Sequence, residues 1–84
     1  MSPETTRVAV IGIIVEDKNS VAKLNEVLSG YSDYIIGRMG IPYEKKNISC
    51  ITVVIDAPQD AINTLSGTLG RLEGVSSKTA YSNV

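Results

Sequence analysis

The sequence predicts an α+β fold, a single four-stranded antiparallel sheet with two helices on one of its faces, and three observations predict it. Residues 7–15 and 48–55 are β-type runs that are apolar on both alternating sides, so each demands cover above and below, as a central strand does. Residues 34–41 and 75–81 are weaker strands, the first broken by Gly37 and Gly40 and followed by Pro42, the second largely polar; both suit sheet edges. Between the strands run two apolar stripes of helical period, Val21, Leu24, Leu28, Tyr31 and Ile62, Leu65, Leu69, Leu72, offset from one another by 41 residues, and Val10 falls on Ile51 at the same offset. The chain therefore reads as two βαβ-like halves, a βαββαβ ferredoxin-like sandwich with sheet order 4-1-3-2.

Each element follows from its residues. Met1 to Thr6 are polar around Pro3 and read as a loose tail, which leaves residues 7–84 as one domain. The first strand stops at the polar cluster of residues 16–20, where Asn19 or Ser20 is placed to cap the first helix, and Gly30 sits where that helix should end. In the second strand Ile35, Met39 and Ile41 are assigned to the core side, and Tyr34, Ile36 and Arg38 to the opposite side. Residues 44–47 form a polar turn. In the third strand Ile51, Val53 and Ile55 point one way and Ile48, Cys50 and Val54 the other. Asp56 is placed to cap the second helix, with Pro58 in its first turn.

Composition narrows the function. With 84 residues, 43% of them hydrophobic, and a formal charge of -1, the chain has a thin core and no basic footprint for nucleic acid or anionic lipid. Self-association is a reasonable route to added stability. Histidine is absent and Cys50 is the one cysteine, so the commonest general base and transition-metal ligand are missing, and neither an internal disulfide nor a CxxC metal site is available. No apolar run approaches membrane-spanning length and the N-terminus lacks the basic and apolar regions of a signal peptide. The expectation is a cytoplasmic protein that is not an enzyme and contacts neither membrane nor nucleic acid directly.

The candidate ligand-binding residues are Asp17, Asn19 and Arg38. Asp17 and Asn19 lie in the turn before the first helix, where helix-terminal N–H groups receive an anion, unless the turn is simply a capped loop. Arg38 either pairs with a carboxylate or phosphate across a subunit boundary or is a solvated edge charge. Val10, Tyr34, Ile36, Cys50 and Val54 are the candidate interface residues, on the side of the sheet away from the helices. Tyr34 fills an interface or closes a pocket. Cys50 reads as a small hydrophobe, with a redox-active or metal-sensing thiol as the rival role. The Gly-x-x-Gly pairs at 37–40 and 67–70 lack the helical, basic flanks of a nucleic-acid clamp; Gly67 and Gly70 suit close packing of the second helix.

The first strand, the run Tyr31-Ser-Asp-Tyr-Ile-Ile-Gly-Arg-Met-Gly-Ile-Pro42 and the run Leu65-Ser-Gly-Thr-Leu-Gly-Arg-Leu-Glu-Gly-Val75 together resemble the iron-only hydrogenase system regulators, small stand-alone ACT-like proteins. The resemblance covers nearly the whole chain. It implies a non-catalytic regulatory module that senses a small effector, of unknown identity, at a subunit interface of a homodimer or homotetramer and passes its occupancy to a protein partner. Such proteins are similar to the ACT domains that bind amino acids between subunits and to the sensing domain of nickel-responsive repressors. The turn at residues 16–20 has no glycine where the ACT pattern has one, and the absence of histidine excludes classical nickel sensing. Two other functions compete: an assembly protein without a small ligand, and an acylphosphatase-like enzyme, for which no phosphate cradle with Arg follows the first strand.

Overall fold

A computed structural model describes residues 5–83. Its elements are β1 (Thr6–Val15), α1 (Val21–Ser29), β2 (Ile35–Tyr43), β3 (Ile48–Pro58), α2 (Gln59–Gly70) and β4 (Val75–Tyr81), with short 3-10 turns at Lys18–Ser20 and Glu44–Lys46. The sheet order is β2-β3-β1-β4 with every neighbouring pair antiparallel, the order expected from the strand characters. Of the tail expected at residues 1–6, positions 1–4 lie outside the described residues, and Thr6 already opens β1, paired with Pro58.

Facing residues in a ladder share a side of the sheet, so register decides what is buried. Ala9, Ile11 and Ile13 of β1 lie opposite Ile55, Val53 and Ile51 of β3, and all six are buried under the helices. Leu24 and Leu28 of α1 and Ile62, Leu65 and Leu69 of α2 complete this core, with Tyr31 and Leu72 packed at its margin, so both helical stripes face the sheet. Burying a side chain of this size stabilises by roughly 1.5–3 kcal/mol relative to leaving it in water.

The strands do not follow the 41-residue offset that the helices keep. Ile51 is in the core, whereas Val10 lies on the opposite side, because β1 reaches α1 through a five-residue connection and β3 runs straight into α2. β3 extends through Asp56 to Pro58, and Pro58 is the residue before α2; Asp56 is therefore an exposed strand residue and not the cap expected of it.

The largest difference from expectation lies in β2. Ile35 faces Ile55 and Gly37 faces Val54, so Ile36 is an extra residue, a β-bulge that reverses the alternation of everything after it. Beyond the bulge Arg38, Gly40 and Pro42 pair with Val53, Ile51 and Ser49 on the helix side. Met39, Ile41 and Tyr43 pair with Thr52, Cys50 and Ile48 on the other. The assignment of Met39 and Ile41 to the core, and of Arg38 to the opposite side, is thus corrected: one inserted residue exchanges the two sets.

Candidate functional site

The turn between β1 and α1 is a closed structural unit. Asp17 caps it, its carboxylate accepting a hydrogen bond from the Asn19 backbone N–H at 2.9 Å. Ser20 is buried and its hydroxyl donates to the Glu73 carbonyl at 2.6 Å, while the Glu16 N–H donates to the Gly74 carbonyl at 2.7 Å. Gly74 has φ +67, and a Cβ there would lie 2.7 Å from the Asp17 Cβ and 2.9 Å from its backbone nitrogen. The turn before α1 and the turn after α2 are therefore pressed together backbone to backbone. The approach of Asp17 to a glycine more than fifty positions away has no local signature.

Arg38 stands elsewhere, on the helix side of β2, where its guanidinium donates to Asn25 Oδ1 of α1. The space between α1 and β2 is a groove made of two contiguous clefts that share Val21, Pro42 and Ser49. One, of about 260 Å³, is lined further by Asn25, Arg38, Gly40, Ile41 and Ile51. The other, of about 120 Å³, adds Val15, Lys18, Tyr43, Glu44, Asn47 and Ile48. Asp17 and Asn19 line neither, so the three candidate ligand residues do not share a cleft; from that turn it is Lys18 that lines the groove.

On the opposite side of the sheet three rows run across all four strands. They are Gly37, Val54, Val10, Ala80; then Met39, Thr52, Gly12, Lys78; then Ile41, Cys50, Ile14, Ser76. Met39, Ile41, Tyr43, Val10 and Ile14 are 60%, 53%, 44%, 41% and 38% exposed, against 0% and 1% for their core counterparts Ile11 and Ile13. Val10 and Val54 are direct neighbours here, and the half-buried Cys50 thiol sits between Ile14 and Ile41. Ile36, at the bulge, is 63% exposed, and Tyr34 lies just before β2, held by its N–H to the Tyr31 carbonyl and by its carbonyl to the Asp56 N–H. Ile14 is placed by the same alternation as Val10; Met39, Ile41 and Tyr43 were hidden by the bulge.

A polar cluster that sequence reading missed closes the far end of the sheet. The Arg7 guanidinium lies 4.5 Å above the Tyr81 ring and donates to Gln59 Oε1 at 3.1 Å. The Gln59 amide in turn donates to the Tyr81 hydroxyl and to Asn63 Oδ1. It locks β4 to β1 and α2.

Among the described residues no group of three or more His, Cys, Asp or Glu side chains is placed to hold a metal, and no helix is long and apolar enough to cross a membrane. The arrangement defines a ferredoxin-like α+β sandwich with one covered and one open sheet face and a groove beside its edge strand. Residues 7–79 match the profile of the TM1266-like family, described as "Iron-only hydrogenase system regulator, putative", and the chain belongs to that family. Among solved structures it is similar to the uncharacterized protein TM1266 from Thermotoga maritima, with TM-score 0.87 and 32% identity over 90% of this chain and 96% of that one. It is also similar to a formyltetrahydrofolate deformylase from Pseudomonas putida KT2440, with TM-score 0.67 and 11% identity, covering 92% of this chain and 29% of that one, a likeness of fold alone. No curated protein matches the chain.

Proposed function

We propose that the protein is a non-catalytic, cytoplasmic regulator that works as a homo-oligomer, its copies joined through the open sheet face, and that a small effector bound beside the junction sets how it engages a protein partner. The observation that carries this reading is the double role of β2. Met39, Ile41 and Tyr43 on one side of the strand belong to the exposed apolar face, and Arg38, Gly40 and Pro42 on the other side line the groove against α1. A molecule that fills the groove touches the same strand that contributes to the contact between copies, and it shifts assembly to the extent that it binds one arrangement of that strand better than another.

The composition of the open face supports a second copy as its occupant. Val10, Ile14, Cys50, Val54, Met39 and Ile41 form one apolar surface in which Lys78 is the single charge of the three central rows. Small domains with thin cores gain stability by mass action when such a surface is buried against its own copy. A thermal-shift screen of organic acids, amino acids, nucleotides and metals on the verified oligomer tests the reading. A saturable rise in melting temperature with one class supports it; an oligomer that responds to none of them favours an assembly protein instead.

A further inference from the structure

We propose that the larger cleft between α1 and β2 binds a small aliphatic monocarboxylate, with Arg38 holding the carboxylate and the apolar body lying over Gly40 against Val21 and Ile51. The inference rests on the effector-binding reading above and names the chemistry of the effector. Gly40 is the first reason. It sits within a strand on the helix side, paired with Ile51, where glycine weakens a sheet and often marks the close approach of another molecule. Nothing in the fold itself requires it: its φ is not in the left-handed region, and a Cβ placed there would meet only Ile51 Cγ1, at an ordinary 3.8 Å. The missing side chain is what keeps the cleft open.

The lining supplies the second reason. It contains one cation, Arg38, two neutral hydrogen-bonding side chains, Asn25 and Ser49, and no carboxylate; the rest is glycine, proline and aliphatic surface. Arg38 donates to Asn25 Oδ1 beside the cleft, and its remaining N–H groups have no protein partner among the described residues. A guanidinium so placed matches a carboxylate in two parallel hydrogen bonds. The apolar remainder rewards a hydrocarbon chain, and a cleft of about 260 Å³ that opens into the smaller one beside it suits a short chain. The lining offers no acid for an ammonium group. An amino acid therefore binds less well than the same skeleton without its amine.

Titration of the isotopically labelled full chain with butyrate, hexanoate, 4-methylpentanoate and leucine, followed by amide chemical shifts, tests this. Hexanoate or 4-methylpentanoate is expected to shift the Val21, Gly40 and Ile51 amides saturably, with leucine weaker by about tenfold or more for want of a partner to its ammonium. Arg38→Gln is expected to weaken binding about tenfold or more. Gly40→Val fills the cleft and is expected to abolish binding with oligomer size unchanged; Arg38→Gln, at an exposed position, carries the test if that variant does not fold. No saturable shift at these amides up to roughly 10 mM acid overturns the proposal, as does leucine binding as tightly as 4-methylpentanoate, or wild-type affinity in Arg38→Gln. An effector of another class whose thermal shift survives both substitutions overturns this site and leaves the regulatory reading standing. Carboxylate binding to a strictly monomeric chain does the reverse.

Discussion

Ile13 and Ile14 are adjacent in β1 and chemically identical, yet one is 1% exposed and the other 38%. The same contrast runs along β3, where Val53 is buried and its neighbour Val54 is on the open side. Both central strands are apolar on both faces, and the chain's two helices cover only one. The difference teaches that hydrophobicity along a strand reports a need for cover and not the source of that cover. On one side the source is α1 and α2. On the other, under the proposed function, it is a second copy.

Substitutions that act on one face at a time sharpen this contrast. Ile13→Ala removes packing from the closed core and is expected to lower unfolding free energy by about 2–5 kcal/mol at any protein concentration. Ile14→Ala is expected to cost less than half as much in denaturant titrations at low concentration, and to weaken assembly as concentration rises. Equal losses at both positions, independent of concentration, would break the comparison.

Gly74→Ala comes next in size. It forces a side chain into a left-handed backbone position and against Asp17, and we expect a loss on the order of 2–3 kcal/mol. The loss should appear in stability while binding in the groove survives, since neither residue lines it. Asp17→Ala removes the cap alone and should cost about 1 kcal/mol. A similar change at Arg7, whose guanidinium joins Tyr81 and Gln59 at the surface, should cost about 1 kcal/mol or less by chemical denaturation.

The architecture was legible in the sequence to the extent that single residues repeat a period. Alternation in β1 and β3 identified both faces, and the two helical stripes are the residues that fill the core. β2 was not legible in the same way, because apolar residues occur in both phases of its alternation and the signal of the insertion, Gly37 beside Ile36, suits an edge strand as well as a bulge. That single bulge moved Arg38 into the groove and Met39 and Ile41 onto the open face. The role of Asp17 was hidden for a different reason: its decisive neighbour is Gly74, and proximity between two loops is a property of the folded chain. The groove itself depends on what α1 and β2 leave unfilled, which no local pattern encodes.

The central claim is that the open face is buried against another copy of the chain. Light scattering on a size-exclusion column at tens of micromolar, with wild type and Val54→Asp side by side, measures it directly. The wild type is expected to elute as a dimer or larger, and Val54→Asp as a folded monomer with an unchanged far-ultraviolet dichroism spectrum. A wild type that is monomeric under these conditions, or a Val54→Asp variant that keeps the wild-type mass, would contradict it.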